Sequence, residues 1–148
     1  MNRINIITLA VADMDKAIAF YIDGLGFKSR NTDYTRYNPK PTIFINTDGG
    51  AIFELTPISV QEKALNRKIR EPESMSGMML SYLCKDTNEV DQILQKAENS
   101  GAVNIVAPVK YDWGGYMGHF TDLDGYDWAV TYDPAAQFDA NGNLVDYE

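Results

Sequence analysis

The chain switches repeatedly between two hydrophobic periods. Residues 4–11, INIITLAV, are rich in β-branched side chains and predict a buried strand. Asp13 then stands where it can cap a helix from Met14 to about Leu25. Met14, Ala17, Ile18, Tyr21 and Leu25 recur at helical spacing on one face of it, Lys16 and Asp23 lie elsewhere, and Gly24 or Gly26 supplies the stop. Strand candidates follow in succession: a weak one around FKSRNTDY, then TIFINT, then AIFELTP. The last two are separated by Asp48-Gly49-Gly50, a strong hairpin signal. The first half therefore reads βαβββ.

The second half repeats the order. MMLSYLCK predicts a strand, Asp86 or Thr87 caps a helix with Val90, Ile93, Leu94 and Ala97 on its apolar face, and Gly101 ends it. VNIVAPVKY is the next strand, and GYMGHFT and YDWAVTY close a hairpin around a four-residue turn, Asp122-Leu123-Asp124-Gly125. Superposed, Asp13 falls on Asp86 at an offset of 73 (86 minus 13) and Gly50 on Gly125 at 75 (125 minus 50), so two residues of insertion separate the blocks. At the second offset Phe53 meets Trp128, and Glu54 meets Ala129. This is an internal repeat. The expected fold class is α+β with two tandem βαβββ modules, residues 1–57 and 78–134, followed by an extension, 135–148, in which Asn141-Gly142 marks a turn. The joining segment, 58–77, is polar and charged with a central part that could be helical, and reads as a linker or flap.

Composition narrows the function classes. A chain of 148 residues with 45% hydrophobic residues is the size of one ordinary domain with a substantial core. The formal net charge of −8 argues against nucleic acid and against anionic membrane, since both recruit basic patches. A small neutral or cationic organic partner fits better. Cys84 is the sole cysteine, so no intrachain disulfide forms, and no charged-then-apolar leader precedes the first strand-like run. The expected location is a reducing cytoplasm.

Taken together, the opening ITLAVADMDKAIAFYIDGLGFK, the closing WGGYMGHFTDLDGYDWAV and the repeated βαβββ pattern resemble the vicinal oxygen chelate superfamily, which contains glyoxalase I, bleomycin-resistance proteins, fosfomycin-modifying enzymes and extradiol dioxygenases. The resemblance covers nearly the whole chain up to Pro134. It implies that each module contributes to a cupped mixed sheet, that two modules face each other around a pocket, and that the assembly is a homodimer. It implies no particular reaction.

Metal-dependent members carry ligands at the first and last strand of each module. Here those positions correspond to Ile6, Glu54, Met79 and Ala129, of which only Glu54 offers a donor suited to a hard or borderline divalent ion. The thioether of Met79 prefers soft metals. The expectation is no metal and no cofactor.

Two readings of Glu54 stay open: a pocket carboxylate acting as general base or hydrogen-bond acceptor, or a leftover of the family pattern satisfied by tyrosine or water. With Asp122 to Gly125 as the turn, residue 120 lies opposite 127 and 118 opposite 129. Phe120, Gly118 and Tyr116 then share the face of Ala129, with Trp128 and His119 on the helix side. Trp113, Tyr116 and Phe120 are thus expected to line one wall of a ligand pocket, with Ile6, Thr8, Ile52, Glu54, Met79 and Ala129 on the others. His119 reads as a packed or surface residue and Cys84 as an inert core thiol.

The expected function is a metal-free small-molecule-binding protein of the glyoxalase/bleomycin-resistance type, holding an organic ligand in an aromatic-lined pocket. The alternative is a metal-dependent lyase or isomerase resembling glyoxalase I, in which an ion would stabilise an enediolate.

Overall fold

The computed structural model describes residues 5–29, 43–46, 51–69 and 78–147. The weak strand around FKSRNTDY is described only at Lys28–Ser29, and the Asp48-Gly49-Gly50 turn lies outside the described residues.

In the first unit, β1 (Ile6–Val11) leads into α1 (Met14–Ile18), which continues without a break as a π-helical segment, Ala19–Gly24. Then come β2 (Lys28–Ser29), β3 (Ile43–Asn46) and β4 (Ile52–Pro57). The strands hydrogen-bond in the order β1-β4-β3-β2, with β1 parallel to β4 and the other pairs antiparallel. After β4 the chain turns directly into α2 (Ile58–Leu65), so the helix in the joining segment begins at its start and not in its centre.

The second unit repeats the order. It comprises β5 (Met79–Cys84), α3 (Thr87–Asn99), β6 (Val103–Lys110), β7 (Tyr116–Thr121) and β8 (Asp127–Tyr132), paired as β5-β8-β7-β6 with β5 parallel to β8. A hairpin of β9 (Ala136–Phe138) and β10 (Leu144–Tyr147) closes the chain, and Gly142 takes φ 85° between its strands.

Both helices start where the sequence placed their caps. Asp13 Oδ1 accepts from the N–H groups of Asp15 and Lys16, at 3.0 and 3.1 Å, and Asp86 Oδ1 accepts from Glu89 N–H at 2.9 Å. These bonds satisfy donors that the first helical turn leaves unpaired. In the second unit Glu89 Oε2 also accepts from Lys85 N–H at 2.7 Å, a close variant of the capping box. Past each helix a glycine with positive φ turns the chain: Gly26 at 84° and Gly101 at 100°.

The two-residue insertion can now be located. Met14 and Thr87 open the helices at offset 73 (87 minus 14), whereas Gly26 and Gly101 end them at offset 75 (101 minus 26). The extra residues therefore lie within the second helix, which is α-helical for 13 residues where the first reverts to wider π turns.

Each core sits between a helix and one face of its sheet. In the first unit Ile43, Ile45, Phe53, Leu55 and Leu9 are buried with Ala17, Ile18, Phe20 and Tyr21, and the Tyr21 and Phe53 rings meet edge to face at 5.3 Å. In the second, Val90, Leu94 and Ala97 of α3 are buried with Phe120, Trp128 and Val130.

The β7–β8 hairpin corrects the expected register. Thr121 pairs with Asp127, Phe120 with Trp128 and His119 with Ala129, so the loop spans five residues, Asp122–Tyr126. The cause is Asp122, which is buried and whose Oδ1 accepts from both Asp124 N–H and Tyr126 N–H at 2.9 Å. Its backbone N–H also donates to the Tyr126 carbonyl at 2.9 Å. These bonds draw Tyr126 into the loop, and a one-residue slip exchanges the faces of every side chain that follows.

Candidate functional site

The helix covers one face of each sheet, so function must be sought first on the other. On the first sheet this far face carries Ile6, Thr8, Ile52 and Glu54, brought side by side because β1 and β4 pair Ile6 with Ile52 and Thr8 with Glu54. Ile6 is exposed and Glu54 half-buried. The Thr8 hydroxyl donates to Glu54 Oε2 at 2.6 Å. It leaves Oε1 able to accept from another group. The four first-module candidates thus share one face, as the alternation of strand side chains requires.

On the second sheet the corrected register divides the candidates. Ala129 and Met79 lie on the far face: Ala129 pairs with Ser81 and His119, and Met79 pairs with Asp127. Phe120 does not lie there. It is 2% exposed and stacks on Trp128 with ring centroids 6.0 Å apart, on the side facing α3. Tyr116 shares that side, where its hydroxyl donates to Asp91 Oδ1 of α3 at 2.9 Å, and this bond to a carboxylate raises the phenol above its ordinary range. Gly118 also faces α3, since a Cβ there would meet the Leu94 side chain. Trp113 sits in the β6–β7 loop, exposed, stacked on Tyr111 at 5.6 Å and lying over Gly115. The expected aromatic wall of Trp113, Tyr116 and Phe120 is therefore not formed on one face of this sheet.

The slip that removes Phe120 and Tyr116 brings His119 to the far face, where the sequence reading did not put it. Beside it runs β6, whose register against β7 shifts twice, so that Val103, Val106 and Val109 pair with Thr121, His119 and Met117. These bulges make every third residue face the same way. The three valines are 54%, 54% and 51% exposed. Asn104 takes φ 50° at one of the irregularities, and its side-chain N–H donates to Thr121 Oγ1 at 3.3 Å. Thr121 in turn donates to Asp127 Oδ1 at 2.8 Å, giving the far face a polar end. Pro108, which lacks a donor, is tolerated because β6 is an edge strand.

Cys84 is fully buried on β5, and burial pushes its thiol up to about 12, with the charges of Glu89 and Asp86 adding to the shift. Such a thiol is a packing group and not a nucleophile.

A glyoxalase/bleomycin resistance protein/dioxygenase superfamily model matches residues 3–130. The chain belongs to this superfamily. Solved structures of similar fold include a glyoxalase-related enzyme from Fulvimarina pelagi, with a TM-score of 0.85 and 17% identity over 100% of both chains. A hypothetical protein from S. aureus is 25% identical with a TM-score of 0.69, covering 89% of this chain and 94% of that one. A lactoylglutathione lyase from Agrobacterium tumefaciens is 18% identical with a TM-score of 0.62, over 89% and 94%. No curated protein matches the sequence.

Within the superfamily the metal-ligand positions are a direct test of chemistry. The residues that the resemblance puts at them, Ile6, Glu54, Met79 and Ala129, supply one carboxylate, one thioether and two hydrocarbon side chains. Among the described residues no three His, Cys, Asp or Glu side chains gather closely enough to hold an ion. This donor set does not fit a tightly held divalent cation.

Proposed function

We propose that the protein binds a small organic molecule without a metal, in the manner of the bleomycin-resistance branch of its superfamily, and that its ligand rests on a sheet face not covered by the helix. The observation that carries this reading is the Thr8–Glu54 pair on a face that also bears the exposed Ile6: a carboxylate fixed in orientation, with its second oxygen uncommitted among the described residues, beside hydrocarbon. Binding sites for small molecules have this composition, an apolar lining with a few oriented polar groups. The far face of the second sheet, with the exposed valines of β6 and Met79, is apolar in its own right. Trp113 remains the one aromatic candidate free to reach a ligand. A homodimer in the cytoplasm is part of the same proposal. Nucleic acid and anionic membrane are disfavoured as partners by the charge of −8, and no helix among the described residues is long and apolar enough to cross a membrane.

The test is a thermal-shift screen of aromatic metabolites and of Mn, Ni and Zn salts, since a ligand that binds only the native state raises the melting temperature. An organic compound is expected to stabilise the protein, and Glu54→Gln is expected to weaken its binding about tenfold, the loss of roughly one charge-assisted hydrogen bond, while leaving the melting temperature of the free protein in place. Unchanged affinity in that variant would reduce Glu54 to a relic of the family pattern. Metal-stimulated turnover of the methylglyoxal–glutathione adduct would instead establish the lyase alternative.

A further inference from the structure

His119 is the only histidine of the chain, and the β7–β8 register places it on the far face of the second sheet, opposite Ala129 and beside Val106. It is half-buried, and among the described residues its ring forms no hydrogen bond or ion pair. The groups that share its face can be named strand by strand. From β6 they are Val103, Val106 and Val109, Lys110 being paired with Tyr116 on the helix side. From β5 they are Met79, Ser81 and Leu83, and from β8 Asp127, Ala129 and Thr131. Asp127 is thus the one other titratable group on this face among the described residues. It lies diagonal to His119, about 7–8 Å by sheet geometry, on the side of Thr121, to which it is already hydrogen-bonded. On the opposite side of His119 the face consists of Val109, Met117 and Thr131, with no charge.

We infer that His119 is the specificity-determining contact of this face, and that it selects a flat apolar molecule bearing an acidic group. This rests on the proposed small-molecule reading and names the ligand class for the far face of the second sheet. The ring system lies against Val106, Val109 and Met117, and the carboxylate meets the imidazolium on the side away from Asp127. Asp127 does not obstruct the ligand, because its carboxylate accepts from the Thr121 hydroxyl and the ligand approaches from the apolar side. The net charge of −8 opposes this choice only at long range, where salt screens it beyond about 8 Å. A ligand that requires the protonated ring binds more tightly as pH falls.

The sole histidine makes the test clean, since the chain then has a single imidazole Hε1 resonance. Naphthalene-2-carboxylate and its neutral amide would each be titrated into the intact protein at pH 5.5 and pH 8.0. The carboxylate is expected to bind about tenfold more tightly at the lower pH, to shift the His119 resonance and to raise its titration midpoint, as a charge-assisted hydrogen bond requires. The amide is expected to bind equally at both. His119→Gln should make carboxylate binding as insensitive to pH as that of the amide, and the unmodified protein read with both probes gives the answer even if this variant folds poorly. Carboxylate binding that is independent of pH, or that leaves the His119 resonance unmoved, overturns the inference while the small-molecule reading stands. If neither probe binds at millimolar concentration and the thermal-shift screen yields no ligand, both fall together.

Discussion

The two sheets are built on one register, yet they spend their matched positions differently. On the helix side of the first, Ile43 and Ile45 of β3 pair with Leu55 and Phe53; on that side of the second, Gly118 and Phe120 of β7 pair with Val130 and Trp128. Bulk has moved from one slot to the next along the strand. On the far side, Thr8 and Glu54 form a hydrogen-bonded pair, while their repeat counterparts Ser81 and Ala129 cannot, since alanine has no acceptor. His119 stands across from that alanine. The duplicated scaffold tolerates these exchanges because strand pairing is carried by the backbone, whereas the chemistry of a face is carried by side chains that can be replaced one at a time. The carboxylate at the Glu54 position therefore has no counterpart at Ala129, and the group that stands across from that alanine, His119, comes from the neighbouring strand.

The sharpest way to break this comparison is Phe120→Ala. If Phe120 lay on the far face, as the four-residue turn implied, truncation would cost little stability and would alter ligand binding. Stacked on Trp128 and 2% exposed, it should instead cost about 3–5 kcal/mol in urea denaturation, the range for large buried aromatics. A loss below about 1 kcal/mol, the scale of exposed positions, would restore the other register.

That one residue marks the boundary of what the sequence could tell. Helix caps, the βαβββ repeat and the shared face of Ile6, Thr8, Ile52 and Glu54 were legible, because each follows from local chemistry or from strand alternation without a turn in between. The faces of β7 were not, because they depend on whether Tyr126 belongs to the loop or to the strand, which the buried Asp122 carboxylate decides. The far face of β6 escaped for a related reason. Val103, Val106 and Val109 fall at a spacing of three, which suits neither a flat strand nor, with Pro108 among them, a helix. Only the bulges make that spacing a face. A missed signal was nonetheless present: a proline and an asparagine within a strand-like run both point to an irregular edge.

Gly118 offers the next largest effect. Its counterpart at offset 75 is Ile43 (118 minus 75), a fully buried isoleucine, so the first module fills with a side chain the slot that the second leaves as glycine. The reason is the closer approach of neighbours in the second unit. A Cβ at Gly118 would lie 2.6 Å from Leu94 Cδ1 and 2.7 Å from the Val106 carbonyl oxygen at the bulge of β6. Leu94 can rotate away, but the carbonyl belongs to backbone and cannot. Gly118→Ala should therefore destabilise by about 1–3 kcal/mol through overpacking, and should perturb the amide resonances of β6 more than those of β5. An unchanged midpoint in denaturant would mean that β6 is not held against β7 as tightly as its counterpart slot suggests.

The smallest expected effect concerns the helix caps, and it is visible mainly in acid. Asp13 receives backbone N–H groups from Asp15 and Lys16, and chiefly the bond from Lys16, with the nearby Lys16 charge, holds its carboxyl below the ordinary aspartate range. A carboxyl whose folded value is depressed stabilises the native state fully at pH above its unfolded value, and loses that contribution as pH falls through the folded one. Asp13→Asn keeps an acceptor in place, because asparagine caps helices about as well as aspartate. Near pH 7 the variant should differ little from the wild type. Below the carboxylate range it should lose less stability with each step in pH, since one group that binds a proton on unfolding has been removed. Urea denaturation of the two proteins from pH 7 down to pH 3 measures both limbs. Parallel acid limbs would show that the Lys16 N–H bond does not discriminate between the charged and neutral carboxyl, and the cap would then act through its geometry alone, as it does for a neutral acceptor.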